Sequence, residues 1–188
     1  MARISLILLL LGLMAAFGSC GGAASGRPAE GSEPESEPEV VENHDITMDG
    51  FELSLYPRGD SLRVTMAAPT TGWVAIGFDP TAAMKDADLM IGYFSGGEVF
   101  LRDDYGTGHT SHRADTELGG TSDLIDVTGS EEDGRTTISF TKLLSSGDEY
   151  DTELVPGSLH EVLLAYGEDG SDDFDEYHVW VVKVEIEL

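Results

Sequence analysis

Alternating apolar and polar residues recur in short runs along the chain from residue 46 onward. FELSLY at 51–56 and LRVTM at 62–66 place apolar side chains at every second position, which is the period of a β-strand with one buried face. The run GWVAIGF at 72–78 is apolar almost throughout, which indicates a strand buried on both faces. No part of this pattern has a helical period, so it predicts strands.

Turn residues separate these runs from further predicted strands. The additional strands are predicted at 89–94, 98–101, 124–128, 135–141, 159–166 and 179–188. Ser95-Gly96-Gly97 is a hairpin signal between two of them, and a polar turn at 129–134 joins two others. In the last run the apolar residues from Trp180 to Leu188 share one face, and the charged residues share the other. About nine to eleven short strands separated by turns predict an all-β chain that folds as an antiparallel β-sandwich.

Residues 1–19 predict a secretory signal peptide. Arg3 is followed by an apolar run at 4–13, which is shorter than the ~20 residues that a membrane-spanning helix needs. Phe17-Gly18-Ser19-Cys20 resembles the bacterial lipobox, which usually has Leu where Phe17 stands. We expect cleavage before Cys20 and a lipid anchor on this residue, which would attach the protein to a membrane. Ordinary secretion with a free Cys20 is the alternative.

Residues 20–45 predict a tether. Alternating Glu, Pro and Ser in this segment cannot bury a core, and the Glu side chains repel one another. The folded domain is therefore expected at 46–188. We expect it in a bacterial cell envelope, facing the periplasm or the exterior. Gly22 stands where Asp would signal retention in the inner membrane, which favours the outer membrane.

The chain is strongly acidic. Its 188 residues include 10 Lys and Arg against 36 Asp and Glu, a formal net charge of −26. Neutralising phosphates requires clustered basic side chains, so the composition excludes nucleic acid as a partner. The charge indicates a solvated surface that keeps the protein soluble. Docking to a basic redox partner is the alternative use of this surface.

Motifs of enzymatic catalysis are missing from the sequence. It contains no G-x-S-x-G elbow, no H-E-x-x-H and no Gly-rich phosphate loop. Cys20 is the single cysteine, which excludes an intramolecular disulfide and covalent haem attachment through C-x-x-C-H. We therefore expect a protein that is not an enzyme.

An ordered series of motifs spans the predicted domain. It consists of GWVAIGF at 72–78, MKDADLMIGYF at 84–94, EVFLRDDYGTGH at 98–109, DGRTTISFTK at 133–142, LLAYG at 163–167 and DEYH at 175–178. The series resembles the DOMON domain, an immunoglobulin-like β-sandwich found in relatives of dopamine β-monooxygenase and in the cytochrome domain of cellobiose dehydrogenase. The resemblance covers residues 46–188, essentially the whole predicted domain.

The resemblance implies a haem site. Haem-binding members of the family hold haem b between a Met in an M-x-x-A-D motif and a His after the AYG-type strand. These positions match Met84 and His178. Asp86 departs from the family pattern, which commonly has a small residue there, often Gly. Met/His ligation fills both axial positions of the iron and favours electron transfer over oxygen chemistry.

The residues themselves are compatible with this site. Met84 follows a buried strand, Ala82 and Ala83 leave room for a flat macrocycle, and a loop at the end of a sandwich can aim a thioether inward. The candidate pocket residues are Trp73, Tyr93, Phe94, Tyr177 and His109. Without the family pattern, such a Met usually fills a core, and a His beside aromatic residues usually makes a structural hydrogen bond.

Other interpretations stay open. Some members of the family bind sugars, so a haem-free module for a carbohydrate or another small ligand is the main alternative, and a structural or partner-binding envelope protein is a third. His109 and His112 are expected in a solvated loop, since H-x-x-H on a Gly-rich loop is a poor preformed metal site, and a place of His109 at the haem edge or ligand pocket is the alternative. The acidic loop 168–176 is rich in the oxygen ligands that Ca²⁺ prefers, but it lacks EF-hand spacing.

Overall fold

The computed structural model describes residues 43–188, which form eleven β-strands and one short helix. The strands are β1 His44–Met48, β2 Phe51–Arg58, β3 Ser61–Ala68, β4 Val74–Phe78, β5 Asp88–Ser95, β6 Glu98–Gly108, β7 Ser111–Ala114, β8 Ile125–Glu132, β9 Arg135–Leu143, β10 Leu159–Gly167 and β11 His178–Glu187, and the helix is α1 Asp115–Leu118. The predicted signal peptide, the predicted lipid site Cys20 and nearly all of the predicted tether lie outside the described residues. Within them, no helix has the length and apolar character that crossing a membrane requires.

The strands pair antiparallel in two sheets. One sheet has five strands in the order β1-β2-β3-β9-β8, and the other has six in the order β11-β10-β4-β5-β6-β7. This arrangement confirms the predicted antiparallel β-sandwich. The sequence pattern did not reveal β1 and β7, because both are short strands at sheet edges without a clear run of buried residues. β1 begins at His44, just inside the segment that was predicted as tether.

The main core lies between the two sheets. Alternate residues of the central strands face inward and pack against the opposite sheet. The largest fully buried side chains are Phe51, Phe78, Phe140, Leu53, Leu55, Leu62, Met66, Ile76, Met90, Ile138, Leu154 and Leu164. In β11, Trp180, Val182 and Val184 pack against this core, as the alternation predicted.

The outer face of the six-stranded sheet is apolar as well. Val74 and Ile76 of β4 belong to the main core, whereas Trp73 and Ala75 form a second cluster with Ile91 of β5. Alternate strand residues point to opposite faces, so this second cluster lies on the outside of the sheet. Burial on both faces explains why β4 reads as a continuous apolar run.

The turns decide where the hairpins begin and end. Gly96 and Gly97 connect β5 to β6 with φ angles of 62° and 88°, which a type I′ turn requires, and this confirms the predicted hairpin. The turn predicted at 129–134 is too long, because β8 stays paired through Glu132 and only Asp133-Gly134 turn. β8 is an edge strand, so its polar residues remain in the ladder while their side chains face solvent.

Candidate functional site

An apolar cavity of about 430 Å³ lies against the outer face of the six-stranded sheet. Its floor consists of Ala75, Gly77, Leu89, Ile91, Leu163 and Ala165. Several of these side chains are small, which leaves a flat floor, and the volume is typical of a small-molecule site. The expectation that the Met84 loop points into the sandwich is wrong, because large apolar side chains already fill the space between the sheets.

Met84 lines this cavity from the loop between β4 and β5. The backbone N–H of Lys85 donates to the carbonyl of Ala82 at 2.9 Å, which bends the chain tightly. Ala83 and Asp86 have φ angles of 53° and 63°, in the left-handed region that favours glycine. This backbone conformation explains why the family pattern commonly has Gly at position 86. Asp tolerates the left-handed region better than most residues, so it can stand at the same position.

The Asp86 carboxylate holds the loop in place. It accepts hydrogen bonds from Lys85 Nζ at 2.8 Å, from Thr81 Oγ1 at 2.5 Å and from Tyr105 OH at 3.1 Å. The bonds from Lys85 and Thr81 lower the pKa of Asp86. Because Tyr105 belongs to β6, this carboxylate ties the Met84 loop to the sheet.

Backbone hydrogen bonds attach the same loop to β6 at Gly106. The N–H of Asp86 donates to the carbonyl of Gly106 at 2.7 Å, and the N–H of Gly106 donates to the carbonyl of Ala87 at 2.9 Å. A Cβ at position 106 would lie 1.8 Å from the carbonyl oxygen of Met84. Only glycine therefore allows the loop to approach β6 this closely.

His178 lines the same cavity from the start of β11. Tyr166 pairs with Trp180 but Gly167 pairs with His178, so Val179 is an extra residue in β11. Such a β-bulge shifts the alternation of side chains by one position. His178 therefore faces the cavity, although a regular strand would turn it to the same side as Trp180, which packs against the main core.

Five of the predicted site residues line this one cavity: Met84, His178, Trp73, Tyr177 and His109. Trp73 is 4% exposed, whereas Tyr177 is 85% exposed. His109 occupies the turn between β6 and β7 and is also exposed. The indole Nε1 of Trp73 is buried and has no acceptor within the described residues.

Tyr93 and Phe94 are absent from the cavity lining in the described structure, which corrects the prediction for these two residues. They are neighbours on β5, so their side chains point to opposite faces of the sheet. Tyr93 lies on the outer face, where its ring stacks on Phe100 with the centroids 4.9 Å apart and contacts Phe174 at 5.0 Å. Phe94 points to the opposite face.

His112 is a cavity residue whose hydrogen-bond partners the sequence did not reveal. It lines the cavity from β7, and its Nδ1 lies 2.5 Å from Asp104 Oδ2. Arg102 donates to the same carboxylate through two nitrogens, each at 2.6 Å. Burial opposes ionisation of Asp104, but its hydrogen bonds to His112 and Arg102 outweigh burial and lower its pKa. Both His109 and His112 thus adjoin the cavity, which was the alternative for His109 and was not predicted for His112.

The acidic loop 168–176 makes hydrogen bonds within the protein. Asp169 Oδ1 accepts from the backbone N–H of Thr71 at 3.0 Å, and Ser171 Oγ donates to Glu176. Across residues 43–188, the one group of three carboxylates close enough to share a metal ion lies elsewhere. The calcium alternative for this loop therefore gains no support from the geometry.

The fold and the cavity define a class of protein: a β-sandwich with a ligand-sized apolar cavity on the outside of one sheet. Comparison with known families identifies which one. The DOMON domain family matches residues 52–167, and the chain belongs to this family. The match confirms the resemblance that the motif series indicated.

Known proteins share this domain as part of larger chains. The chain is 26% identical over 121 residues to DBH-like monooxygenase protein 1 of Homo sapiens and 25% identical over 121 residues to that of Mus musculus. Each match covers 64% of this chain and 19% of the relative, so the chain spans about a fifth of the length of these relatives.

A solved structure shares the fold. The crystal structure of the cytochrome b domain of pyranose dehydrogenase from Coprinopsis cinerea aligns with a TM-score of 0.54 at 11% sequence identity. The alignment covers 76% of this chain and 80% of that chain. The likeness shows that the two proteins have a common fold.

Proposed function

We propose that the domain is a b-type cytochrome module, which binds haem b non-covalently in the outer-face cavity and transfers single electrons. Met84 and His178 are the proposed axial ligands. The observation that carries the proposal is that these two side chains, far apart in sequence, line one apolar cavity. The cytochrome b domain with the same fold supports it.

The residues of the cavity fit a flat, mostly apolar macrocycle. Ala75, Gly77 and Ala165 leave space above part of the floor, and Trp73 adds an aromatic wall. A thioether and an imidazole are side chains that hold haem iron in proteins. His112, oriented by a buried carboxylate, is one of the polar groups that line the cavity beside its apolar floor.

Haem held by both Met84 and His178 would supply single-electron transfer rather than chemistry on a bound substrate. The chain positions and shields this site. The apolar floor excludes water, the Gly106 contacts fix the Met84 loop, and the bulge at Val179 turns His178 to the cavity. The acidic surface favours a basic redox partner.

Replacing either proposed ligand is expected to weaken haem binding at least about tenfold, since replacing even a residue that hydrogen-bonds to a metal ligand lowers metal affinity by that factor. When titrated with haem, Met84→Ala and His178→Ala should also lack the low-spin spectrum with sharp α and β bands on reduction. The full chain is titrated, and its absorbance is read in the oxidised and reduced states.

The matched controls are Met48→Ala and His44→Ala, which replace the same residue types on β1 in the other sheet. Both should bind haem like the unmodified protein. The ligand assignment is wrong if Met84→Ala and His178→Ala keep the unmodified spectrum. Absence of Soret absorbance after reconstitution of the unmodified protein refutes the haem proposal itself.

A haem-free small-ligand module is the second candidate, with a carbohydrate as the ligand class. The exposed ring of Tyr177 at the cavity favours it, because an open aromatic face can stack on a sugar. A glycan screen of the unmodified protein tests this candidate. Binding of a glycan that is lost in Tyr177→Ala, together with no haem spectrum, would make this the function.

Attachment to the outer membrane through a lipid on Cys20 completes the proposal. The residue stands at the end of the lipobox-like sequence. Cys20→Ser is expected to move the protein from the membrane fraction to the soluble fraction of the expressing bacterium, because the acyl chains supply the membrane affinity. An unchanged distribution of Cys20→Ser between the fractions would argue against the lipid anchor.

A further inference from the structure

A group of acidic side chains lies between the two sheets, separate from the outer-face cavity. Asp88 opens β5, Asp103 lies in β6 and Asp151 follows β9, and each offers one carboxylate oxygen within 4.8 Å of the others. Asp88 and Asp103 are 0% and 2% exposed. We call these three residues the buried aspartate cluster. Asp115, the first residue of α1, is also fully buried but is not one of them.

Lys142 is the cation that the structure places in this cluster. Its Nζ donates to Asp88 Oδ2 and lies 3.5 Å from Asp151 Oδ1. One ammonium cannot balance three carboxylates. Ionised carboxyl groups without compensation are costly to bury, so this arrangement needs either protons or additional positive charge.

The unpaired oxygens show where the additional charge belongs. The described residues contain five buried side-chain polar atoms without a hydrogen-bond partner, and four are Asp88 Oδ1, Asp103 Oδ1 and both oxygens of Asp115. Lys142 takes the opposite oxygen of Asp88, Oδ2.

The geometry points to a divalent cation site in which Asp88, Asp103 and Asp151 are ligands. The ligands are hard oxygen donors from three separate segments of the chain in an irregular arrangement. Ca²⁺ accepts such irregular oxygen sites, whereas Mg²⁺ requires nearly ideal octahedral geometry and retains its waters. The cation is therefore Ca²⁺, and it links β5, β6 and the segment that follows β9 inside the sandwich.

Calcium is expected to stabilise the full chain against thermal unfolding, because a ligand that binds only the folded state raises its stability. The protein is stripped with a chelator, and unfolding is followed with and without about 1 mM CaCl₂, a concentration that covers the range of protein calcium sites. Calorimetric titration with CaCl₂ should show one tight site per chain. MgCl₂ should bind more weakly.

Asp103→Asn and Asp151→Asn test the ligands. Each should weaken the tight Ca²⁺ site at least about tenfold. Asp103 Oδ2 accepts from the backbone N–H of Asp123 and Oδ1 has no partner, so the amide oxygen of Asp103→Asn can keep this hydrogen bond and the variant should fold. Asp172→Asn and Asp173→Asn, in the exposed acidic loop, are the controls for loose binding to the acidic surface and should retain the tight site.

The outcome decides between a metal ion and buried protons. A tight site that Asp103→Asn and Asp151→Asn lose, and that the loop variants keep, supports the proposal. Weak binding that is equal in all variants overturns it. A cluster that instead holds protons shows no calcium response, and Asp103→Asn is then as stable as the unmodified protein or more stable.

Discussion

Lys142→Met is expected to lower the free energy of unfolding by about 3–5 kcal/mol, the loss observed when one partner of a buried ion pair is removed. The ammonium is 2% exposed and contacts Asp88 and Asp151, so the variant leaves buried carboxylates without their cation. Methionine keeps most of the side-chain volume. Urea unfolding at pH 8 in the presence of a chelator measures the change.

Lys183→Met is the matched control. Lys183 forms an ion pair with Glu161 on the surface, with both side chains more than a third exposed, and such pairs contribute about 0–1 kcal/mol. A Lys142→Met protein that is as stable as the control would show that the carboxylates near Lys142 are already neutral.

The loss in Lys142→Met should be largest above pH 8 and should shrink as the pH falls through about 8. Burial, and after it the negative charge of Asp88, raise the pKa of Asp103 to about 8, although Lys142 opposes the rise. Removing Lys142 ends this opposition and therefore raises the pKa of Asp103 further. A folded state that binds more protons than the unfolded state becomes more stable as the pH falls. Because its Asp103 has the higher pKa, Lys142→Met gains more free energy of unfolding in this way than the unmodified protein does.

Gly106→Ala is expected to cost about 3 kcal/mol of stability, the upper range for an overpacked site. Its Cβ would meet the carbonyl oxygen of Met84 at 1.8 Å, and a backbone atom cannot rotate away. The loop must therefore separate from β6, which breaks the backbone hydrogen bonds of Gly106 with Asp86 and Ala87. Because Met84 moves with the loop, we also expect haem binding to weaken. Unfolding and haem titration are measured on the same protein.

Gly108→Ala is the control on the same strand. Its Cβ would lie 2.7 Å from Ser111 Oγ, the end of a side chain that can rotate, so the cost should stay below about 1 kcal/mol. Equal stability and equal haem titration curves for Gly106→Ala and Gly108→Ala would mean that the close approach of the loop to β6 does not determine the position of Met84.

The positions of most strands could be predicted from the sequence, because burial of one face of a strand makes apolar residues recur at every second position. β2, β3 and β11 show this period, and Gly96-Gly97 marks a hairpin by the positive φ that both residues adopt. The pair Met84 and His178 came from the motif series, not from the period. β1 and β7 could not be predicted, because short edge strands bury too few residues to leave a pattern.

The site depends on facts that no local pattern contains. Phe94 was predicted in the pocket, but its strand register turns it to the opposite face from Tyr93. The bulge at Val179 turns His178 outward, and it exists only through the pairing of β11 with β10. The partners of His112 and the buried aspartate cluster bring together residues from separate strands.

Local periodicity and turn chemistry by themselves determined that this chain folds as an antiparallel β-sandwich, because side chains alternate along every strand and glycines bend the chain between strands. The ordered motifs carried the family and its candidate ligands. Only the tertiary structure decided that the cavity lies on the outside of the six-stranded sheet and that Lys142 contacts the buried carboxylates of Asp88 and Asp151 inside the sandwich. Strand pairing and bulges set these contacts between residues distant in sequence, and such contacts leave no period in the chain.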